Sequence, residues 1–437
     1  MNLKQIETEL EPHLNGITPF EWHIARHSLI TAKSHNISQP KGHRSTSLMI
    51  ALRSLISFFK LLFKALLSES HSFISSNSLE QRQRINSEYY NKLFHQLILN
   101  LNKKNISFCY LERSLLQKKK TYDFQYDSLC IDVAAFISSK FIPWALIKSF
   151  NPSKFETSKK TLNSLKIIFI YKFIFKFILK NLKVKNLYVS DAYCRFNKGL
   201  ILAAKELKIH VIEFQHGVIH ANHPGYNTYL NYDVSPYTPN ELWTFSGSTD
   251  CNTIPKLTAI GNYQIDLVRQ ALKDNPKKDK LLVTLQIDCS YEVTEFIYRS
   301  LTLDNYELTL LKRSPSDKIY EPLNKHKNII FSQNSFYDLL TESQVHITAY
   351  STCAAEALSV GVPNIFINLS EKKAETYFPR IYQDQPSNNY YVSQPDQLLE
   401  AIKLAINNND NNIYSDYFIS NHNQHLKKNM ERVLNEQ

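Results

Sequence analysis

The feature that most constrains the fold is an alternation of short apolar runs with helix-length stretches, which begins at residue 186. The run NLYVSD (186–191) predicts a strand, RFNKGLILAAKELK (195–208) a helix and IHVIEFQ (209–215) the next strand. Strands that alternate with helices through short links are typical of parallel βαβ units. We therefore predict an α/β fold.

A second series of the same kind begins at residue 280. Its order predicts a second doubly wound sheet, with a ligand cleft between the two domains. The segment between Pro255 and Lys280 ends in charged residues with Asn and Pro, which favours an interdomain linker. We expect an N-terminal domain at 1–275 and a C-terminal domain at 276–437. The predicted strands of the second series are 280–287, 306–313, 328–331, 345–350 and 363–368.

The first 150 residues are less regular. KNISFCYLER (104–113) and CIDVAAFI (130–137) are predicted strands among helices. We expect them to complete the first sheet and to help form the acceptor side.

The charge balance favours an anionic partner. Lys and Arg outnumber Asp and Glu by 51 to 40. Residues 154–185 alone carry nine lysines against one glutamate, which indicates a local basic face. Because no RNP, helix-turn-helix or zinc-finger spacing occurs, a nucleic-acid partner is not expected.

The cysteines and the N-terminus indicate a reducing compartment. The six cysteines are widely spaced without a C-x-x-C pair, so neither a zinc site nor a disulfide framework is predicted. The N-terminal run MNLKQIETELEP lacks the apolar region of a signal peptide. We expect a cytoplasmic protein.

Two stretches combine apolar and basic residues, at 48–67 and 165–185. In the first, Arg53, Lys60 and Lys64 interrupt the run before about 20 apolar residues accumulate, so no membrane-spanning helix is predicted. Each stretch is either a core helix with a solvated basic edge or a helix lying on an anionic bilayer. We expect at least one of them to contact a membrane surface.

The segment VHITAYSTCAAEALSVGVP (345–363) suits a phosphate. Ser351 and Thr352 stand between a predicted strand and an Ala-rich helix, where free amides and the helix dipole bind anions. Glu356 follows one turn later and could accept hydrogen bonds from a ribose or sugar hydroxyl. The alternative is that Ser351 only caps the helix and Glu356 is solvated.

The first series carries a candidate general base. Asp191 ends one predicted strand, while Gln215 and His216 end the next, so we expect all three at the same edge of the sheet. Asp191 is the first candidate for the base and His216 the second. Asp191 as a helix N-cap and His216 as a structural histidine are the alternatives. His223, in the run HPGY that ends at Tyr226, is a candidate for the acceptor pocket.

These two segments resemble the S/T-x-x-x-E-A-x-x-x-G-x-P signature, the strand-end Asp and the Q-H-G with H-x-G-Y of GT-B glycosyltransferases that build bacterial capsules, lipopolysaccharide and teichoic acids. That group includes Kdo transferases and, more distantly, polyol-phosphate transferases. The resemblance covers about residues 186–370. It implies two Rossmann-like domains facing across a cleft, with additional N-terminal helices, an acceptor-side N-terminal domain and a C-terminal domain that binds a nucleotide sugar.

The resemblance also implies roles for individual residues. Relatives usually have His-Pro at the strand end KRSPSD (312–317), where this chain has Ser314 after Arg313; Arg313 is either a replacement phosphate ligand or an ordinary exposed cation. Gln286 is a weaker candidate for holding the nucleotide. The implied catalytic residues are Asp191 and His216, the donor-binding residues are Ser351, Thr352, Glu356, Arg313, Ser314 and Gln286, and the acceptor-binding residues are Gln215, His223 and Tyr226.

The predicted activity is a transfer that uses neither metal nor cofactor, since no D-x-D triplet occurs. We expect an inverting glycosyltransferase that moves a sugar from a nucleotide-activated donor to a glycan or lipid-linked glycan of the bacterial surface. It would act at the inner face of the inner membrane. The alternatives are a CDP-polyol phosphotransferase of the same fold and a non-catalytic scaffold of a polysaccharide assembly complex.

Overall fold

The described residues form two compact units. The first comprises Met1–Ala259 and Leu426–Gln437, and the second comprises Ile260–His425. The expected boundary at 275/276 thus differs from the division at 259/260, and the final residues return to the first unit. The computed structural model describes residues 3–11, 17–34, 48–76, 82–85, 88–112, 125–143, 159–247, 249–274, 280–286, 289–300, 306–312, 317–332, 334–369, 389–407 and 418–436.

The first unit contains a parallel sheet of seven described strands in the order β5-β4-β1-β6-β7-β8-β9. The chain builds outward from β1 in one direction and then restarts at β6 in the other, which is the Rossmann arrangement. A separate antiparallel hairpin joins β2 to β3. The strands are β1 (Ser72–Ser76), β2 (Arg82–Ile85), β3 (Glu88–Asn91), β4 (Phe108–Glu112), β5 (Gln125–Asp127), β6 (Asn186–Val189), β7 (His210–Phe214), β8 (Glu241–Thr244) and β9 (Leu257–Ala259).

The helices of the first unit correct one prediction. The segment 130–137 was expected to be a strand, but it lies in a helix. Its buried residues recur at helical spacing, as Cys130, Ile131, Ala134 and Ala135, so one helical face is apolar. The helices are α1 (Leu3–Leu10), α2 (Pro19–Ser34), α3 (Leu48–Leu67), α4 (His95–Lys103), α5 (Leu129–Phe141), α6 (Lys159–Asn181) and α7 (Arg195–Glu206).

Helix α6 is a core helix that packs closely on α7. A Cβ atom at Gly199 would lie 2.5 Å from the Cβ of Tyr171 and 2.7 Å from the carbonyl oxygen of Ile168, so glycine permits this approach. Lys172 and Lys176 of α6 form ion pairs with Glu206 of α7 at 2.5 and 2.9 Å. These contacts favour the core interpretation of residues 165–185.

The second unit has a parallel sheet of six described strands in the order β12-β11-β10-β13-β14-β15, which is again the Rossmann order. The strands are β10 (Lys280–Thr284), β11 (Glu307–Leu311), β12 (Ile329–Ser332), β13 (Ser343–Thr348), β14 (Asn364–Ile367) and β15 (Asn389–Val392). The helices are α8 (Tyr263–Asp274), α9 (Ser290–Arg299), α10 (Phe336–Thr341), α11 (Cys353–Ser359) and α12 (Leu398–Asn407), with 3-10 turns at Glu321–Lys325 and Pro395–Gln397. Helix α13 (His422–Asn435) begins in this unit and belongs to the first unit from Leu426 onward.

The segment between Pro255 and Lys280, interpreted from the sequence as a linker, contains β9 and α8. The apolar positions of α8, Ile265 and Val268, are buried, so this segment has a packed face despite its charged end. In the parts of the chain that the structure describes, no helix is both long enough and apolar enough to cross a bilayer.

Candidate active site

Two side chains that follow neighbouring strands meet at one edge of the first sheet. Asp191 follows β6 and His216 follows β7, and Asp191 Oδ1 lies 2.6 Å from His216 Nε2. Their side chains are 16% and 18% exposed. Strands β6 and β7 pair in parallel, so their carboxyl ends lie at the same edge of the sheet. This pairing explains why Asp191 and His216 lie close together, as the sequence predicts. Asp191 also stands beside the point where the strand order of this sheet reverses.

The backbone of Asp191 adopts a left-handed conformation, with φ of 54°. This conformation is unfavourable for most residues but tolerated by Asp and Asn. Asn197 of α7 stabilises it, because its side-chain amide donates to the carbonyl oxygens of Ser190 and Asp191. The N-cap of α7 is Cys194, whose Sγ accepts from the backbone amide of Asn197, so Asp191 is not the cap.

His216 is held by groups on both ring nitrogens. Besides Asp191, the phenol oxygen of Tyr193 lies 3.2 Å from Nε2, and that of Tyr226 lies 3.5 Å from Nδ1. Burial lowers the pKa of His216, but the charge of Asp191 and the hydrogen bond to it outweigh burial, and the pKa is raised overall. When protonated, His216 donates to Asp191 and fixes the orientation of its carboxylate.

Glu213 of β7 is part of this cluster and was missed from the sequence. Its side chain is fully buried; Oε1 accepts from the Ala192 amide at 2.9 Å and from the Tyr226 hydroxyl at 2.7 Å. Oε2 has no hydrogen-bond partner among the described residues. Burial raises the pKa of Glu213 to about 7. The signal for this residue was a single carboxylate inside the apolar run IHVIEFQ.

A small cavity is lined by Glu213 and Tyr193 together with three basic residues of the same unit, His23, Arg26 and Lys198, among other residues. Lys198 Nζ donates to the His23 carbonyl at 2.7 Å, and burial, with a smaller effect of Arg26, lowers the Lys198 pKa to about 7. The cavity volume of about 20 Å³ has room for roughly one water molecule. It is therefore too small for a sugar or a nucleotide.

Two of the three predicted acceptor ligands are enclosed by protein. Gln215 is 1% exposed; its Nε2 donates to the Gly217 carbonyl at 2.9 Å and its Oε1 accepts from the Phe245 amide at 2.8 Å. Tyr226 is also 1% exposed and donates to Glu213. These bonds hold both side chains within the protein, and their predicted role in acceptor binding stays a prediction.

His223 is the half-buried member of the predicted acceptor set. Its ring centroid lies 5.1 Å from that of Tyr193 and 4.9 Å from that of Tyr226. Gly225 allows the loop to close on this aromatic group, since a Cβ there would lie 2.5 Å from Cδ1 of Tyr193. His223 thus forms the outer part of an aromatic cluster beside Asp191.

In the second unit, three backbone amides after β13 are hydrogen-bonded within the turn itself. Ser351 is 3% exposed, and its Oγ accepts from the Cys353 amide at 3.2 Å. The amides of Ala354 and Ala355 donate at 3.1 Å to the carbonyls of Ser351 and Thr352. Ser351 thus stabilises the turn, and its predicted role in phosphate binding stays a prediction. Thr352 is half-buried, and its side chain makes no capping hydrogen bond.

The other predicted donor ligands lie near this turn or outside the described residues. Glu356 is half-buried and accepts from the Tyr337 hydroxyl at 2.6 Å, so it is anchored rather than simply solvated. Gln286, after β10, accepts from the Tyr350 amide at 3.1 Å and joins the ends of the two strands between which the order of the sheet reverses. Arg313 and Ser314 lie outside the described residues.

A buried polar network that the sequence did not indicate ties these strands together. His346 of β13 is fully buried; its Nε2 lies 2.8 Å from Thr284 Oγ1 of β10, and its Nδ1 lies 2.7 Å from Asn364 Oδ1 of β14. The Asn364 amide donates to the carbonyl of Ala354 in α11 at 3.0 Å. The network fixes α11, and hence Glu356, relative to the sheet.

Metal ligation was not expected from the sequence. Within the ranges that the structure describes, no group of three or more His, Cys, Asp and Glu side chains is arranged to hold a metal ion. The expectation of a metal-independent reaction stays a prediction.

The two parallel sheets with this strand order, accompanied by helices, define the fold as GT-B. A Listeria monocytogenes protein assigned as a UDP-N-acetylglucosamine 2-epimerase is similar, with a TM-score of 0.51, 11% identity and coverage of 85% of this chain and 98% of that chain. At this identity the likeness concerns the fold alone.

Two further solved structures show weaker similarity. A UDP-GlcNAc 2-epimerase from Methanocaldococcus jannaschii has a TM-score of 0.48 at 16% identity, covering 84% of this chain and 99% of that chain. The calicheamicin glycosyltransferase CalG4 has a TM-score of 0.47 at 9% identity, covering 84% and 94%. No protein-family model matches the sequence, and a comparison with curated proteins finds no match.

Proposed function

We propose that this protein is a nucleotide-sugar-dependent glycosyltransferase in which Asp191 is the general base and His216 orients it. The observation that carries this proposal is the 2.6 Å contact between Asp191 Oδ1 and His216 Nε2 at the edge of the first sheet. A carboxylate fixed through one oxygen presents the other to a substrate hydroxyl, and a base must lie within hydrogen-bond reach of the proton that it removes.

In the proposed reaction, the acceptor hydroxyl attacks the anomeric carbon of the donor sugar. Its proton passes to Asp191, and the bond from the anomeric carbon to the nucleotide phosphate breaks, so that the nucleotide leaves with both electrons. Attack opposite the leaving group inverts the configuration. Removal of the proton by a positioned base typically contributes a factor of about 10²–10⁴ in rate.

The donor is assigned to the second unit. Thr352 has a hydroxyl without a capping bond, so it is suited to donate to a phosphate. Glu356 is anchored by Tyr337 and is suited to accept from a ribose or sugar hydroxyl. Arg313 and Ser314 remain proposed donor ligands on the basis of their position in the sequence. The resemblance of 186–370 to enzymes of surface-polysaccharide synthesis supports a glycan or lipid-linked glycan as the acceptor.

The test is product analysis with purified protein. Nucleotide sugars based on CMP, UDP and GDP, and CDP-polyols, are each incubated with lipid-linked glycan acceptors, and the products are identified by mass spectrometry. We expect release of a nucleotide together with an acceptor one sugar longer. Activity should persist in EDTA, because no D-x-D pair is present to hold a metal on the diphosphate.

Each other product identifies a different function. An acceptor carrying new phosphate would show CDP-polyol phosphotransfer, whereas conversion of UDP-GlcNAc without any acceptor would show an epimerase. A protein that binds none of these nucleotides, and whose cellular function survives Asp191→Asn, would be a scaffold. Loss of transfer in EDTA with recovery on added Mg²⁺ would contradict metal independence.

A further inference from the structure

Helix α3 has apolar residues on two opposite faces. One face is in the core, where Leu61 and Ala65 are fully buried. The opposite face consists of large apolar side chains spaced four and three residues apart, with one adjacent pair at the C-terminal end, and they form a stripe about 20 Å long at 1.5 Å per residue. Its members, defined here as the α3 stripe, are Leu52, Ile56, Phe59, Phe63, Leu66 and Leu67, which are 50–67% exposed.

Positive charge lines one flank of the α3 stripe. At 100° per residue, Arg53 and Lys60 lie about 90° from the centre of the stripe, and both are exposed. Lys64 lies on the same flank and is half-buried. The helix contains no Asp or Glu, so the stripe and its flank present only apolar and cationic groups.

Neighbouring α5 adds groups of the same two kinds. Phe136 and Phe141 are 56% and 80% exposed, and Lys140 Nζ lies 5.0 Å from the centre of the Phe136 ring. Helix α5 packs against α3 in the first unit. Exposed apolar area on this scale is uncommon unless a partner covers it.

We infer that α3 lies in the headgroup region of an anionic bilayer, with the α3 stripe inserted at the acyl boundary and Arg53 and Lys60 at the lipid phosphates. Charge complementarity selects this occupant over a second copy of the chain. A second α3 would bring cations toward cations, since neither helix offers a carboxylate to pair with them. The inference is independent of the proposed reaction.

Helix α6 shows why α3 is the membrane-facing element of the two basic stretches. The lysines Lys172 and Lys176 of α6 already pair with Glu206, and its apolar residues Phe175 and Ile178 are fully buried. Two other aromatic side chains of α6, Phe173 and Phe177, are 57% and 45% exposed. The exposed apolar face of α6 is thus smaller than the six-residue α3 stripe, and part of its positive charge is already paired within the protein.

The test is flotation of the full-length protein with vesicles of phosphatidylcholine alone or mixed with phosphatidylglycerol. We expect binding to the mixed vesicles that weakens with salt. The double variant Phe59→Ser/Phe63→Ser should lose at least about tenfold in binding, since each large apolar side chain inserts favourably. Arg53→Gln/Lys60→Gln should lose about fivefold per charge.

The matched control is Leu404→Ser, which removes an exposed apolar residue from α12 and should leave binding unchanged. Unchanged melting temperatures would show that the variants are folded. Absence of wild-type binding, or equal binding by Phe59→Ser/Phe63→Ser, would overturn the inference. A dimer in light scattering that the same double variant converts to a monomer, without vesicle binding, would assign the stripe to a second copy instead.

Discussion

Glu213 links the chemistry of the candidate site to the stability of the fold. Burial raises its pKa from 4.5 to about 7, so the folded protein keeps a proton that the unfolded chain releases as the pH rises between these values. Raising the pH through this range therefore lowers the free energy of unfolding. The total is roughly 3 kcal/mol, since each unit of difference between the folded and unfolded pKa corresponds to about 1.36 kcal/mol.

Glu213→Gln tests this directly. The amide oxygen can still accept from Ala192 and Tyr226, but the side chain cannot ionise. In urea denaturation we expect the variant to gain stability relative to wild type as the pH rises from about 4.5 to about 8, where the full effect has developed. A stability difference that stays constant over this range would show that Glu213 does not titrate there.

The sequence predicted those residues of the candidate site that directly follow a strand. Asp191 and His216 follow adjacent parallel strands, and so the sequence pattern alone predicts that they lie close together. The role of Glu213 depends on Tyr226, which a loop brings back to the strand. Ser351 illustrates the same limit, because strand and helix boundaries do not show which amides a turn satisfies internally.

At the scale of elements, the packing of α6 on α7 depends on Gly199. In Gly199→Ala the added methyl group would overlap the backbone carbonyl of Ile168 and the Cβ of Tyr171. We expect a loss of about 1–3 kcal/mol in unfolding free energy, although alanine is the better helix former by about 1 kcal/mol. Thermal denaturation measures the change.

The matched control is Gly247→Ala, where the new methyl group meets nothing within 4 Å. We expect its unfolding free energy to stay within about 0.5 kcal/mol of wild type. If the two alanine variants behave alike, the close contact between α6 and α7 does not limit stability.

Strands and helices with strong periodicity were predicted well, and the misses have physical causes. The run at 130–137 is apolar enough for either element, and as a helix it packs one face against α3 and α6. The stretch 255–280 has a charged, Pro-containing end that suits a linker. This stretch nevertheless contains β9, an edge strand of the first sheet, and α8, a helix of the second unit. Its composition alone does not predict either element.

At the scale of the whole molecule, the alternation of strand and helix predicts two parallel sheets and hence the fold class. The order of strands and helices along the sequence did not predict that the last residues return to the first unit. One of the contacts that hold this segment is made by Arg432 of α13, which lies 2.5 Å from the fully buried carboxylate of Glu241 in β8. A contact across 191 residues of sequence leaves no local signal.

The central claim is that Asp191 serves the chemical step while the second unit serves donor binding. The most direct test measures the turnover number of Asp191→Asn together with its donor affinity by calorimetry. Asparagine, like aspartate, readily adopts the left-handed backbone conformation of this position. Thr352→Val is the matched variant in the second unit. We expect Asp191→Asn to lower kcat by about 10²–10⁴ with donor affinity within about twofold of wild type, and Thr352→Val to weaken donor binding instead. Turnover by Asp191→Asn within a few-fold of wild type would contradict the account.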